Sequence, residues 1–114
     1  MSTALEEALC REFERAALRL RLDEELGTRH GLAWDEFVLL EALEEAGGAL
    51  ATPSLAGRLG LRPSALVLRL LPLEKTGWLE RATSGEGARS VRLRAPGRRL
   101  LAEARETAEA VCAP

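Results

Sequence analysis

Apolar residues recur every three or four positions in the first part of the chain, which is the spacing of one helix face. The segment 2–28 shows this pattern, with Glu and Arg on its other faces and Ser2 or Thr3 placed to cap its start. Gly27 or Gly31 ends it. Its apolar positions are Leu5, Leu9, Phe13, Ala16, Ala17 and Leu20. We expect one long amphipathic helix, and because it extends beyond a small domain, we expect it to pack against a second copy of itself.

A second helix is predicted over residues 32–46, where the apolar stripe is wider and therefore typical of a core helix. Acidic residues occupy its first turn, and Gly47 and Gly48 end it. Its inward positions are Phe37, Leu39, Leu40 and Leu43. The following residues, Ala49–Ala51, are long enough only for a strand of one rung.

Two shorter helices follow, each begun by a proline. Thr52 and Pro53 form a cap followed by proline at the first helical position, and Gly60 ends that third helix. Pro63 begins a fourth helix that ends at Lys75. Its inward stripe is Leu66, Leu70 and Leu73. A helix, a tight turn and a second helix predict a helix-turn-helix.

Two alternating segments after the fourth helix predict a β-hairpin. Residues 78–82 and 89–94 form the strands, with Val91 and Leu93 inward and Arg92 and Arg94 outward. The tip is the glycine-rich segment 84–87, and a last helix begins after Pro96 and Gly97. The apolar face of that helix is Leu100, Leu101, Ala104, Ala108 and Val111.

The predicted fold is mostly α with a small β-hairpin wing, which is a winged helix-turn-helix flanked by an N-terminal and a C-terminal helix. The chain of 114 residues is the size of a single domain. Within it we assign residues 1–31 to the N-terminal dimerisation helix, 32–95 to the winged lobe and 96–114 to the C-terminal helix.

Charge divides the sequence into an acidic and a basic half. Residues 1–50 carry five Arg against twelve Asp and Glu, whereas residues 58–105 carry eleven Arg and Lys against four Glu. The change of sign falls at the helix-turn-helix, so it is typical of one face that meets a polyanion. Arginines scattered over a solvated surface give the same count, and both interpretations stay open here.

Composition restricts the protein class further. The first residues include Glu6 and Glu7 and resemble no signal peptide, and no apolar segment has the length of a membrane span. We therefore expect a cytoplasmic protein that does not bind membranes. Cys10 and Cys112, with the single His30, form neither a disulfide framework nor a zinc site. The sequence shows no catalytic triad, phosphate loop or metal cluster, so we expect no enzyme activity and no cofactor.

A series of short motifs gives the chain a family resemblance. The series runs Leu55–Leu61 (LAGRLGL), the Pro63-Ser64 start of the fourth helix, Leu73–Arg81 (LEKTGWLER), Arg89–Leu93 (RSVRL) and the link Leu93–Gly97. In this order and spacing, residues 32–105 resemble the MarR family of bacterial winged-helix regulators. The resemblance implies a homodimer that binds an inverted repeat in duplex DNA and represses transcription. It also implies release by a small phenolic or amphipathic effector, or by cysteine oxidation.

The resemblance implies site residues as well. The DNA-binding candidates, expected mostly on phosphates, are Arg62, Ser64, Arg69, Arg89, Arg92 and Arg94. The dimerisation candidates are Leu5, Leu9, Phe13, Leu20, Leu100, Ala104, Ala108 and Val111. His30 and Trp34 lie where the family binds effectors, although Trp34 also suits a plain core position.

The outward side of the fourth helix departs from the family pattern, in which it is polar. Apolar residues touch a thymine methyl but do not read hydrogen-bond patterns. Pro72 removes a backbone hydrogen bond and is expected to kink or tighten the helix at a cost of about 3 kcal/mol. The outward residues here are Val67, Leu68, Leu71 and Pro72. They support an alternative function, in which the protein no longer reads DNA and binds a protein partner, as an antirepressor, an adaptor or half of a heterodimer.

The wing tip departs from the pattern too. Where the family carries an Asp-x-Arg motif, this chain has Ser84, Gly85 and Glu86. The Glu86 carboxylate faces the most negative groove of DNA in the family's docking mode and opposes binding.

The two cysteines allow a redox interpretation. Cys10 near the start and Cys112 near the end resemble the paired cysteines of the family's organic-peroxide sensors, but those sensors surround the cysteine with Tyr, which this chain lacks. The alternative is that each cysteine is a small buried hydrophobic residue.

Overall fold

The structure is a computed structural model that describes residues 2–114, within which five helices and a three-stranded sheet form. The helices are α1 (Thr3–His30), α2 (Trp34–Glu45), α3 (Thr52–Leu59), α4 (Pro63–Lys75) and α5 (Ala95–Cys112). The strands are β1 (Ala49–Ala51), β2 (Leu79–Thr83) and β3 (Arg89–Leu93). The predicted class, a mostly helical winged helix-turn-helix, is confirmed. None of the helices in the described range is both long enough and apolar enough to cross a membrane.

The chain divides into two compact units. The first comprises residues 2–34 and 104–114, and the second, which we call the winged lobe, comprises residues 35–103. The first part of α5 therefore belongs to the winged lobe and its last part to the other unit.

Within the winged lobe, α3 and α4 follow directly from their prolines and glycines. Each helix has proline in its first turn, and Gly60 ends α3 in the left-handed conformation (φ 66°). The Gly60 and Leu61 amides donate to carbonyls of the last turn of α3. The core side chains of the two helices, all buried, are Leu55, Ala56, Leu66, Leu70 and Leu73.

Pro72 lies inside α4 without ending it. The helix is continuous to Lys75, and the Pro72 carbonyl accepts the Thr76 amide at 3.1 Å. Because Pro72 has no amide hydrogen, it donates no hydrogen bond to the carbonyl four residues earlier, that of Leu68. Leu68 lies on the exposed side of the helix. The proline therefore does not end the helix, which runs on to Lys75.

The wing is one strand larger than the predicted hairpin. Strand β3 is central, with β1 and β2 antiparallel on either side. The one-rung expectation for Ala49–Ala51 is wrong, because all three residues pair with Ser90–Arg92 of β3. The core side of the sheet carries Leu79, Val91 and Leu93, all buried.

The first turn of α5 approaches the sheet without a side chain between them. Gly97 is buried, and a Cβ added to it would overlap the carbonyl oxygen of Trp78 and approach Leu93 Cδ1 to 3.0 Å. Glycine at this position therefore permits a backbone contact that any other residue would prevent.

In the first unit, α1 begins and ends at the expected residues. The Ser2 hydroxyl accepts the Leu5 amide at 3.2 Å, and Gly31 ends the helix in the left-handed conformation. Every residue from Ser2 to Ala17 is exposed, and only Leu22 and Leu26 of this helix are buried. Most of the apolar stripe of α1 therefore has no cover within the chain.

Two long-range hydrogen bonds join α1 to the end of α5. Arg21 Nη2 donates to the Val111 carbonyl at 3.2 Å, and His30 Nε2 lies 2.7 Å from the Thr107 hydroxyl. Ala104 and Ala108 on the same part of α5 are buried within the chain. These two residues, expected at a dimer interface, therefore offer little side-chain surface to a second copy.

Candidate nucleic-acid interface

The outward side of α4 is a single stripe along the helix, which we call the α4 stripe. It consists of Ser64, Leu68, Leu71 and Lys75, spaced four, three and four residues apart, and all four are exposed. Leu68 has 71% of its surface exposed and Leu71 has 40%. The stripe is thus apolar at its centre, with a hydroxyl near one end and an ammonium group at the other.

Val67, which the sequence placed outward, lies on the flank of α4. There it lines a groove of about 840 Å³ together with Pro63, Ser64, Leu70 and the start of α3. The opposite wall of the groove is the wing, from Arg81–Thr83 on β2 to Gly87–Ser90. This groove separates the candidate recognition helix from the candidate wing.

The Glu74 carboxylate joins α4 to the wing by accepting two hydrogen bonds from the Arg81 guanidinium. Arg81 Nη2 lies 3.1 Å from Oε1 and Arg81 Nε lies 3.2 Å from Oε2. The Arg81 amide also donates to Oε2 at 3.4 Å. The hydrogen bonds from Arg81 lower the pKa of Glu74 below its ordinary value. The pair fixes the end of α4 against β2 in the geometry typical of Arg and carboxylate.

Three further arginines of the winged lobe are held by acids of α2. Arg69 lies 3.5 Å from Asp35, Arg98 lies 3.3 Å from Glu44, and Arg58 is paired with Glu45. The lobe, residues 35–103, contains ten Arg and Lys against nine Asp and Glu, so its net charge is close to zero. The sharp division into an acidic and a basic half, seen along the sequence, therefore does not persist in the folded lobe.

The remaining cations of the lobe are unequally placed. In the part of the chain that the structure describes, the cations of the lobe without an ion pair are Arg62, Lys75, Arg89, Arg92, Arg94 and Arg99. Arg62 immediately precedes α4, Lys75 ends it, and Arg89 lines the groove. These three cations bracket the α4 stripe.

The three candidate arginines of the wing do not form one patch. Arg89 shares the groove side of β3 with Val91, because alternate residues of a strand point to the same side. Arg92 points to the other side. Its neighbour on strand β2, in the register of the sheet, is Glu80. Arg94 follows β3, and its guanidinium lies near Gly77. Of the three, only Arg89 lies beside α4.

The wing tip is a tight turn organised by one hydroxyl. The Ser84 Oγ accepts the amides of Glu86 at 3.3 Å and Ala88 at 3.1 Å, and Gly87 adopts φ 85°. The Glu86 side chain is exposed and lies in none of the ion pairs of the described chain. An uncompensated negative charge therefore stands at the tip of the wing.

Sequence reasoning missed two features of this surface. Lys75 was predicted to end the fourth helix but was not assigned to the site, although its spacing from Leu71 and Leu68 already placed it on the same face. The pair between Glu74 and Arg81 had no sequence signal, because it crosses the turn between a helix and a strand.

The dimerisation candidates of α1 form an exposed apolar stripe in the first unit. Leu5, Leu9, Phe13 and Leu20 are all exposed, and Phe13 has 69% of its surface in contact with solvent. The candidates on α5 differ, since Leu100 and Val111 are half-buried while Ala104 and Ala108 are buried.

The cysteines and the effector candidates have distinct surroundings. Cys10 and Cys112 are both exposed, so the interpretation as small buried hydrophobic residues is wrong. Trp34 is half-buried beside Leu22 and Leu18 of α1, and its amide donates to Asp23 Oδ1 at 2.6 Å. His30 is half-buried at its hydrogen bond to Thr107.

The sequence matches no family model and no curated protein sequence. Solved structures share the fold. The transcriptional regulator BldR from Sulfolobus solfataricus is 22% identical with a TM-score of 0.78, and the match covers 97% of this chain and 82% of BldR. A MarR-family transcriptional regulator from Rhodococcus sp. RHA1 is 19% identical with a TM-score of 0.86, covering 97% and 79%. AbsC, a MarR-family transcriptional regulator from Streptomyces coelicolor, is 17% identical with a TM-score of 0.82, covering 97% and 77%. The chain therefore has the winged-helix fold of the MarR-family transcriptional regulators.

Proposed function

We propose that the protein is a dimeric transcriptional regulator that binds an inverted repeat in duplex DNA and acts as a repressor. The observation that carries this proposal is the α4 stripe with its three bracketing cations, Arg62, Lys75 and Arg89. A helix of this kind fits the major groove, and cations around it hold phosphates.

The candidate residues contribute unequally to such binding. Arg62 and Arg89 flank the α4 stripe, and Ser64 and Lys75 form its two ends, so we assign direct phosphate contacts to all four. Arg69 is engaged by Asp35, and Arg92 lies on the other side of the sheet, so we assign both only a long-range electrostatic role. We assign the same role to Arg94, beside Gly77.

Dimerisation is supported by the uncovered stripe of α1. A helix of 28 residues is about 42 Å long, and its exposed apolar residues recur along more than half of it. A second copy would bury Leu5, Leu9, Phe13 and Leu20 against the same residues of its partner. Two copies of α4 would then be available for the two half-sites of an inverted repeat.

Repression follows from occupancy, because a dimer bound over a promoter excludes polymerase from the same DNA. We further propose that a small-molecule effector bound beside Trp34 in the first unit releases the dimer from DNA.

The test is a titration of purified protein against a fluorescent duplex from the region upstream of its own gene. A duplex of about 30 base pairs accommodates two half-sites one helical turn apart. With three phosphate-binding cations per protomer, the logarithm of the affinity should fall with the logarithm of salt with a slope near −5. Affinity should fall roughly a thousandfold between about 50 and 200 mM KCl. Absence of binding at the lower salt concentration would refute the proposal.

A second candidate function is favoured by one observation, the exposure of Leu68 and Leu71 at the centre of the α4 stripe. An exposed apolar surface of this kind is typical of a protein-binding site, so the chain would serve as an antirepressor, an adaptor or a heterodimer partner. The double variant Leu68→Glu with Leu71→Glu should then lose a protein that co-purifies with the wild type. Ser64→Ala on the same stripe is the control, and an unchanged set of co-purifying proteins in the double variant would contradict this function.

A further inference from the structure

We propose that α4 reads the C5-methyl groups of pyrimidines in the major groove, and that Leu68 and Leu71 are its specificity-determining residues. The inference rests on the proposed DNA-binding function and names the chemistry by which this surface distinguishes bases. Its consequence is a preference for thymine-rich duplexes.

The first support is the composition of the surface that would face the bases. Leu68 and Leu71 are the central residues of the α4 stripe, and both are exposed although their neighbours Leu66, Leu70 and Leu73 are buried. In the major groove, the C5-methyl is the apolar group that distinguishes thymine from the other bases of unmodified DNA. An aliphatic side chain therefore contacts the thymine methyl favourably, whereas it cannot hydrogen-bond to the edge of any base.

The second support is the lack of polar base readers around the stripe. Adenine is read by Asn or Gln, and the chain contains neither residue type. Guanine is read by Arg or Lys, but Arg69 within α4 is paired with Asp35, and Lys75 ends the helix, where we assign it to a phosphate. Cytosine is read by a carboxylate, and the one acid of α4, Glu74, accepts the hydrogen bonds of Arg81. The Ser64 hydroxyl remains, and it accepts or donates without discriminating between bases.

The third support is charge, which favours DNA over a protein as the occupant of this face. Arg62 stands at the start of α4, Lys75 at its end and Arg89 across the groove, and no ion pair of the described lobe neutralises them. From Ser64 to Lys75 the stripe is roughly 17 Å long, which exceeds the width of the DNA major groove, about 12 Å. Cations at both ends therefore reach the phosphates on both sides of a groove whose floor meets the two leucines.

The spacing of the two leucines also suits stacked bases. Residues three apart on a helix have Cβ atoms about 5–6 Å apart. Stacked bases rise about 3.4 Å per step. The two side chains thus reach methyl groups that lie one or two steps apart.

The experiment compares duplexes that differ only in the methyl group. One pair is an alternating dA and dT duplex and the same duplex with dU in place of every dT. The other pair is an alternating dG and dC duplex with and without 5-methylation of every dC. Dissociation constants are measured by fluorescence anisotropy at low salt. Burial of one methyl should tighten binding roughly fourfold. We expect dT over dU, and methylated over unmethylated dC, by at least that factor.

The variant Leu68→Ala with Leu71→Ala should bring both ratios close to one. Because both leucines are exposed, this variant keeps the core intact. The control Ser64→Ala, on the same stripe, should retain both ratios.

Three outcomes would overturn the inference, and they differ in what else they remove. Equal binding of the dT and dU duplexes by the wild type would refute methyl reading and leave DNA binding standing. A dT preference that persists in the double alanine variant would remove the assignment to Leu68 and Leu71. If no duplex binds at low salt, the proposed function is refuted as well. The exposed leucines would then support the alternative function, in which they bind a protein partner.

Discussion

Glu74 and Arg81 form a bidentate ion pair that joins the last turn of α4 to β2, with N–O distances of 3.1 and 3.2 Å. The pair lies in the groove between the α4 stripe and the wing, where it joins the two elements that would contact DNA. The hydrogen bonds from Arg81 also lower the pKa of Glu74 below its ordinary value.

Glu74→Gln should lower the thermal midpoint of unfolding at pH 7, because Gln keeps the size but loses the charge-assisted hydrogen bonds. The folded-state pKa of Glu74 lies below its ordinary value of 4.5 because Arg81 favours the carboxylate. The stabilisation is therefore fully present above the unfolded-state pKa and is lost as pH falls through the lower, folded-state pKa. The difference in midpoint between wild type and variant should be constant above about pH 5.5 and should shrink at lower pH.

Thermal melts followed by circular dichroism across this pH range provide the measurement. Glu80→Gln on the same strand is the control, because Glu80 takes part in none of the ion pairs of the described lobe. A difference in midpoint that stays the same down to acid pH would contradict the assignment.

Gly97→Ala should destabilise the winged lobe, because the added methyl would overlap the carbonyl oxygen of Trp78. Overpacking of this kind costs about 1–3 kcal/mol of unfolding free energy. Gly57→Ala is the matched control, since Gly57 lies within α3 and its added methyl meets nothing within 4 Å. That substitution should instead stabilise by about 0.5–1 kcal/mol. Urea denaturation measures both, and equal effects of the two variants would show that the close contact at Trp78 is unimportant.

Arg89→Ala should weaken DNA binding more than Arg92→Ala, because Arg89 lies on the groove side of β3 and Arg92 on the opposite side. Loss of one phosphate contact reduces the salt slope by about 0.9 for each protomer. Anisotropy titrations at several salt concentrations give the slopes. If Arg92→Ala reduced the slope as much as Arg89→Ala, DNA would have to contact the opposite side of the sheet.

Glu86→Gln should strengthen DNA binding, because it removes the exposed negative charge from the wing tip while keeping the Ser84 turn, which involves only the Glu86 amide. Exposed charge interactions contribute about 0.2–1 kcal/mol, so the gain should be at most about fivefold and should fade with salt. Glu109→Gln near the end of α5 makes the same change in net charge away from the wing. An equal gain in DNA affinity from both variants would show that the effect comes from the net charge of the protein and not from the position of Glu86.

Phe13→Glu should convert the proposed dimer into a monomer, because it places a charge in the exposed apolar stripe of α1. An uncompensated charge buried at such an interface costs several kcal/mol. Sedimentation velocity measures the change in mass. Leu68→Glu is the control, since it alters an equally exposed apolar residue in the winged lobe and should leave the mass unchanged. A monomeric wild type would exclude the assignment of this stripe to dimerisation.

The helix-turn-helix followed from the sequence because proline and glycine restrict the backbone locally. Gly60 ends α3 and Pro63 begins α4 as predicted, whereas α3 begins at Thr52, one residue before Pro53, with Ala51 and not Thr52 as its cap. Strand β1 was underestimated, since Ala-Leu-Ala has no strand signature and becomes a strand only by pairing with β3. Helix α2 was predicted two residues too long at its start, where Leu32 and Ala33 precede the helix that Trp34 begins.

The candidate site was less predictable, because its charges are arranged by long-range contacts. Asp35 and Arg69 lie 34 residues apart in sequence, and Glu44 and Arg98 lie 54 apart, so no local spacing reveals either pair. The division of Arg89 and Arg92 between two sides of the sheet did follow a local rule. Strand alternation places Arg89 with Val91, and the burial of Val91 then fixes the side to which Arg89 points.

In the proposed dimer, the exposed segment of α1 from Ser2 to Ala17 gives the chain a local stability that depends on its own concentration. An isolated helix of about 15 residues is marginal in water, whereas Leu22 and Leu26 hold the second half of α1 by burial. In dilute protein, amide hydrogens of the first half should therefore exchange with solvent faster than those of the second half. As copies accumulate and cover one another, this exchange should slow and proteolysis of the segment should decline. The abundance of the protein thus determines how much of its first helix is folded.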